Sequence, residues 1–270
     1  MYSSHMRFLA KFRHFINITL IPTGFQIERS KDYLPFKKNV DKKLLFVTMN
    51  QKQTNDFLLR FAQECDYLID VGANRGSFAE HFCKINDSSK IVMIEPIPSL
   101  IADLQHKYHS NERISIHKYA ISNSSGNASF HVTANDGQSS SLLSVGKRHL
   151  EAAPHAPEVE LITVETRTLD QICSTLTFSK AFLKIDVQGN EMPALLGAKS
   201  MLMKTDAIHI EVSIQSLYEG DSIGFKVWEF LDGEGFVLYG IDPWFRDRLS
   251  NGELLQADFL FVKKDLLKTD

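Results

Sequence analysis

Three carboxylates in this chain each close a short apolar run, and chemistry is expected there: Asp70 in LIDVGANRGSF, Glu95 in KIVMIEP and Asp186 in AFLKIDVQGNE. Leu68, Ile69 and Val71 read as a strand covered on both faces, because burial on both sides removes the apolar–polar alternation. A carboxylate at the C-terminal end of such a strand faces the crevice where open α/β sheets bind ligands, and can accept hydrogen bonds from an ammonium or hydroxyl. Gly72 and Gly76 follow Asp70 as a tight turn, since glycine takes positive φ and lets another group approach the backbone. The helix after Gly76 would aim its free N–H groups at the same place. Taken alone, the segment also fits a glycine-rich strand-to-helix connection with a carboxylate cap.

Glu95 sharpens the choice. Pro96 lacks an N–H and ends the ladder, so Glu95 is a strand-end acid about 20 residues beyond the glycine turn, the spacing at which an acid takes ribose hydroxyls. The turn is GxxxG rather than GxGxxG, and no GxxxxGK[ST] loop is present, so a pyrophosphate is poorly provided for. Asp70 would repel a phosphate and welcome a cation. S-adenosylmethionine meets these conditions, with a ribose, an ammonium, a sulfonium and no phosphate. A nicotinamide-dependent oxidoreductase would instead show GxGxxG and a Tyr and Lys proton relay, and a non-catalytic relative would have lost the acids.

Asp186 is the candidate general base for removing a hydroxyl proton. Lys184 alternates with it on one strand face and can orient it or stabilise developing negative charge. Glu211, in HIEV on the next strand, comes to the same edge. A structural Lys184–Asp186 ion pair is an equal alternative. A hard divalent ion on Asp186 and Glu211 is another, although no metal site is predicted.

The ordered set DVGANRGSF, EPIPSL, ASF after Gly126, SSL, TLD, FLKIDVQGNE and LLGA resembles the FkbM family of S-adenosylmethionine-dependent methyltransferases, from about Leu68 to Val262. The resemblance implies an α/β, Rossmann-like class I methyltransferase fold: a mostly parallel seven-stranded sheet with a C-terminal antiparallel hairpin and helices on both faces. It also implies O-methylation of a hydroxyl on a sugar, glycan or natural-product small molecule. It puts Asp70, Gly72, Asn74 and Gly76 in the first cofactor motif, makes Glu95 the ribose acid, and adds Ala120 and Ser140 to the cofactor set. Lys118 stands where the family usually has an asparagine two places before the alanine.

Further elements follow from periodicity. Helices are expected over Asn50–Cys65, Ser99–His109, Glu191–Met201 with Pro193 in its first turn, and Gly224–Leu231. Strands are expected over Ile114–Tyr119, Asn127–Val132, Ala207–Ser213, Gly235–Ile241 and Ala257–Val262; by the family likeness, Glu158–Arg167 pairs with Asn127–Val132 as a β extension. Thr133–Pro157 reads as a long structureless loop in which GQSSSL is a flap over cofactor and substrate, or else an untethered surface loop. Asp242–Glu253 reads as the connection between the last two strands, with Trp244 and Phe245 as acceptor-pocket walls or packing plugs.

With 270 residues and 43% hydrophobic content, the chain can bury a full core. A formal charge of -3 offers no electrostatic footprint for nucleic acid. Cys65, Cys83 and Cys173 are scattered without CxxC spacing, which argues against disulfides or zinc and for a cytoplasmic protein. Residues 1–49 are expected to be a basic amphipathic helix and connector ahead of a catalytic domain at 50–270. Within them Met6–Ile21 is too short and too charged to span a membrane; it packs as an accessory helix or makes weak contact with an anionic membrane surface.

Overall fold

The computed structural model describes residues 61–267 apart from 222, 248, 250 and 251. The expected helix at 6–21, the charged connector at 31–43, the division at 49/50 and most of the helix at 50–65 lie outside these residues.

Ten strands and seven helices are found among the described residues, with a 3-10 turn at Lys264–Leu267. The strands are β1 (Tyr67–Val71), β2 (Lys90–Ile94), β3 (Ile114–His117), β4 (Ala120–Ile121), β5 (Gly126–Thr133), β6 (Glu158–Arg167), β7 (Ala181–Ile185), β8 (Thr205–Ser213), β9 (Phe236–Arg246) and β10 (Leu254–Lys263). The helices are α1 (Ser77–Ile85), α2 (Pro98–Tyr108), α3 (Lys147–Ala152), α4 (Leu169–Cys173), α5 (Glu191–Leu196), α6 (Lys199–Met203) and α7 (Gly224–Gly233).

Seven strands form one sheet in the order β3-β2-β1-β7-β8-β10-β9. All neighbours are parallel except β10, which runs antiparallel to both β8 and β9. The chain runs outward from β1 through β2 to β3 and returns to β7 on the other side of β1. The strand order therefore reverses beside β1, and ligands in such sheets bind outside the C-terminal strand ends at that point.

Alternation along β1 explains the layers. Ile69 and Val71 join Leu183, Ile185 and Ile210 in a core covered by α4, α5, α6 and α7, while Leu68 joins Met93, Phe182 and Ala207 beneath α1 and α2. Helices thus cover both faces, and each enclosed Leu, Ile or Phe contributes about 1.5–3 kcal/mol relative to exposure.

The β extension is present as a separate sheet in the order β4-β6-β5, with β5 antiparallel and β4 parallel to β6. Three local expectations are corrected. The helix expected over Glu191–Met201 is two helices, α5 and α6, broken at Gly197, where a Cβ would lie 2.4 Å from the Ser122 carbonyl oxygen. Asp170 then accepts from the Ser200 and Met201 backbone N–H groups at 3.0 and 2.8 Å, restarting the helix from outside. The segment expected to be structureless after Thr133 contains α3 and pairs by β-bridges, His131 with Ser141 and Val145 with Tyr218. Finally, β9 continues to Arg246, so Trp244 and Phe245 belong to a strand rather than to the connection. None of the helices among the described residues is long and apolar enough to cross a membrane.

Candidate active site

A cleft of about 380 Å³ opens at the C-terminal ends of β1, β2 and β7. Gly72, Asn74, Glu95, Ala120, Ser140, Lys184, Asp186 and Glu211 all line it. Asp70 and Gly76, the other residues of the first motif, do not: Asp70 is buried beneath the turn rather than facing the crevice, and Gly76 lies behind it.

Gly72 has φ of 74°, and a Cβ there would sit 1.8 Å from the Asp186 carbonyl oxygen. The glycine is required by the approach of the chain leaving β7 as well as by the turn. Gly76 caps α1 with φ of 76° and packs against Leu104 and Tyr108 behind the turn. Asn74, also at positive φ, presents its backbone N–H to Glu95.

Glu95 is nearly enclosed. Its Oε2 accepts from Asn74 N–H at 2.9 Å and its Oε1 from Ile97 N–H at 3.0 Å. Burial pushes its carboxyl up to about 7, against the lowering effect of those two donors. Each carboxylate oxygen can accept a further bond, so capacity for hydroxyl donors remains.

Asp70 is wholly buried beneath the turn, and neither of its oxygens has a hydrogen-bond partner among the described residues. Among the described residues the cation paired with it is Lys184, whose Nζ lies 3.4 Å from Asp70 Oδ1 and 3.5 Å from Asp186 Oδ2. The same nitrogen donates to the Gly72 carbonyl at 2.7 Å. Burial opposes the Lys184 charge, but Asp186 and Asp70 outweigh it and hold the ammonium above its ordinary range. Burial pushes the Asp70 carboxyl up, and Lys184 offsets part of that rise. The expected Lys184–Asp186 pair is therefore one arm of a three-membered array.

Glu211 lies beside Asp186, joined to it through Gln188. The Gln188 amide donates to Asp186 Oδ1 at 2.7 Å and to Glu211 Oε2 at 2.5 Å, and its carbonyl accepts from the Tyr218 hydroxyl at 2.5 Å. Gln256 donates to the same Glu211 oxygen at 3.0 Å. Burial first, then Asp186 and Asp258, raise the Glu211 carboxyl well above the usual carboxylate range. Asp258, opposite Glu211 in the β8–β10 register, is pushed up to about 7, again chiefly by burial. Burial lowers His209, on the same wall, to about 4. Glu191 at the start of α5 holds the turn through Gly189 N–H at 3.0 Å.

Gln188, Tyr218, Asp258 and Glu191 were not singled out from the sequence. For Asp258 a signal exists, a lone acid in the apolar run ADFLFV one strand from Glu211. Gln188 offers only its place before Gly189 at a strand end.

The GQSSSL segment is tethered on both sides of the cleft. Asn74 Nδ2 donates to the Asp136 carbonyl at 3.2 Å and Arg75 pairs with Asp136 at 3.3 Å. Across the cleft, Ser141 Oγ reaches the Val187 carbonyl at 3.4 Å. Ser140 Oγ accepts from Thr133 N–H at 3.0 Å, which fixes the turn rather than leaving it loose. The two aromatic candidates divide: Trp244 lines the cleft half exposed, whereas Phe245 packs edge-on against His149 at 5.6 Å as a plug. Among the described residues, no group of three or more His, Cys, Asp or Glu is arranged to hold a metal ion.

The strand order, the antiparallel β10 and the cleft at the switch point define a class I methyltransferase fold. The family model described as Methyltransferase FkbM domain matches residues 70–238, and the chain belongs to that family. A similar protein is the 2-O-methyltransferase NoeI of Sinorhizobium fredii (strain NBRC 101917 / NGR234), 32% identical over an alignment of 159 residues that covers 57% of this chain and 65% of that protein. Among solved structures, Methyltransferase FkbM from Methylobacillus flagellatus KT has a TM-score of 0.44 at 16% identity, covering 72% of this chain and 43% of that one. An rRNA methylase from Streptococcus thermophilus has a TM-score of 0.45 at 9% identity, covering 80% and 98%.

Proposed function

We propose that the protein transfers the methyl group of S-adenosylmethionine to a hydroxyl of a sugar, glycan or natural-product acceptor. The observation that carries this reading is the charge of the cleft. Among the described residues, Glu95, Asp186, Glu211 and Asp258 line it; burial moves Glu95, Glu211 and Asp258 toward their neutral forms, but the cations of the lining, Lys184 and Arg75, are already paired, Lys184 with Asp70 and Asp186, Arg75 with Asp136. Such a wall suits a sulfonium and an ammonium and disfavours a pyrophosphate. The cleft volume falls within the range of small-molecule sites. O-methylation is supported by the likeness to a 2-O-methyltransferase.

When bound, the cofactor supplies an electrophilic methyl carbon. Glu95, with Gly72 and Asn74, provides the ribose end of the site, and Ala120 and Ser140 close its sides. Asp186 takes the proton of the acceptor hydroxyl, and its side chain, about one-third exposed, is the accessible carboxylate of the array. Lys184, 3.5 Å away, holds that carboxylate in place. Burial disfavours the charged form of Glu211 and raises its carboxyl well above the usual range, and Glu211 lies deeper than Asp186, so Asp186 rather than Glu211 is assigned as the base. Alignment in the cleft can lower the barrier by about 7–11 kcal/mol, and the base adds about 10²–10⁴ in rate.

An isotope-labelled methyl-transfer screen over sugars, glycolipids and hydroxylated metabolites tests the reading, with calorimetric titrations of S-adenosylmethionine and NAD alongside. Transfer to a hydroxyl acceptor is the expected result. Micromolar NAD binding without S-adenosylmethionine binding would overturn it.

A further inference from the structure

Asp186 has two oxygens and two partners, and the partners differ in kind. Lys184 approaches Oδ2 at 3.5 Å, a charge contact without close directional constraint, whereas Gln188 donates to Oδ1 at 2.7 Å. The amide is therefore what fixes the plane of the carboxylate. We propose that Gln188 is the positioning residue for Asp186: its side-chain amide, oriented by the Tyr218 hydroxyl, aims the carboxylate into the cleft and separates it from Glu211. The proposal rests on the reading of Asp186 as the base.

The amide has only one workable orientation. Its NH₂ end meets Asp186 Oδ1 and Glu211 Oε2, and its carbonyl end meets the Tyr218 hydroxyl. Reversed, the carbonyl oxygen would confront Asp186 Oδ1 within contact distance, acceptor against acceptor, and would lose the Tyr218 donor. At the far end, Tyr218 has one proton and two acceptors in reach, Gln188 Oε1 at 2.5 Å and the Ser139 carbonyl at 3.2 Å. The nearer contact selects Gln188. Gln256 adds a second donor to Glu211 Oε2, which holds that carboxyl back from Asp186.

The backbone supports the same assignment. Gln188 has φ of 55°, a conformation L residues rarely take, and Gly189 follows at 97°. Glu191 Oε1 accepts from both Val187 N–H at 3.4 Å and Gly189 N–H at 3.0 Å, holding the turn in that shape. A residue kept in an unfavourable conformation at a cleft, with every polar atom of its side chain engaged, is placed for a task. Gln188 itself is nearly buried, so its bonds are made away from water.

The titration of Asp186 reads the proposal directly and needs neither donor nor acceptor. The ionisable groups facing Asp186 are Lys184 on its own strand, Asp70 behind it on β1, His209 and Glu211 on β8, Asp258 on β10, Glu191 on α5 and Tyr218. In the full chain labelled with carboxyl-¹³C aspartate, Asp186 is assigned with Asp186→Asn and followed by NMR against pH. Gln188→Met, which keeps length but loses the amide, raises the Asp186 midpoint by about one pH unit, the scale of a lost charge-assisted hydrogen bond. Tyr218→Phe frees the amide to turn and moves the midpoint the same way by less, and this variant serves if Gln188→Met does not fold. An unmoved midpoint in a folded variant overturns the proposal whatever the transfer assay shows. A moved midpoint accompanied by the same shift in the acid limb of the pH–rate profile supports it. A moved midpoint with an unchanged profile overturns the role of Gln188 in the reaction by removing Asp186 as base.

Discussion

Lys184 reaches the enclosed carboxylate of Asp70 at 3.4 Å, in register across the β1–β7 pair, and no other cation among the described residues pairs with Asp70. Removing the ammonium leaves a buried acid uncompensated. Lys184→Met is expected to lower unfolding free energy by about 3–5 kcal/mol, and Asp70→Asn combined with Lys184→Met to recover part of the loss. Urea unfolding measures both. A single variant as stable as the wild type would show that the pair contributes nothing to the fold.

Glu95 predicts a pH dependence of stability and of binding. The folded carboxyl is pushed up to about 7, against an ordinary 4.5 in the unfolded chain. The native state therefore binds more protons than the unfolded chain between these values, so the Glu95 contribution to stability falls as pH rises through that window. His149 and His209, both lowered from 6.5 to about 4, bend the curve the other way across that range, which overlaps the Glu95 window. The comparison is thus wild type against Glu95→Gln, whose stability difference isolates the carboxyl. Their thermal midpoints should change relative to one another from about pH 4.5 to about pH 7, with the wild type losing ground as pH rises.

Cofactor binding should run in the opposite sense. Bound S-adenosylmethionine favours the ionised carboxyl of Glu95, so affinity falls as the solution is acidified below about 7, by up to about tenfold per pH unit. Glu95→Gln removes that dependence and weakens binding at pH 8 by about 1.5–3 kcal/mol. Calorimetry in two buffers of different ionisation enthalpy should detect proton release on binding by the wild type. Equal affinity of both proteins at pH 8 would take Glu95 out of the site.

Asp186→Asn preserves shape and removes the charge. Turnover should fall by about 10² or more while S-adenosylmethionine affinity stays within about twofold. Adding a chelator to the wild type distinguishes a base from a metal ligand: activity lost and restored by Mg²⁺ would assign Asp186 to a metal. Wild-type turnover in the variant would leave Asp186 as a structural partner of Lys184.

Gly72→Ala tests the close approach of β1 and β7. The new methyl would overlap the Asp186 carbonyl in a backbone conformation already unfavourable to alanine, and should prevent accumulation of folded protein. Gly235→Ala, at φ of 87° with open space around it, carries only the conformational cost of about 1–2 kcal/mol. Similar thermal midpoints for the two variants would contradict the steric account.

Sequence alone determined the parts that local rules control. Apolar runs placed the core strands, the glycines and Pro96 marked where they end, and carboxylates at those ends pointed to a cleft, because burial on both faces and chain reversal leave their mark within a few residues. Helix continuity past Leu196 was misjudged for the converse reason: Gly197 meets the Ser122 carbonyl, a neighbour distant in the chain. The tertiary structure decided which acids see the cleft. Asp70, Glu95 and Asp186 look alike in sequence, yet the register of β1 with β7 seals Asp70 against Lys184 and leaves Glu95 and Asp186 on the wall. It also brought Gln188, Tyr218 and Glu211 into one hydrogen-bonded chain, since sheet order, rather than periodicity along any strand, sets which side chains meet across the edge.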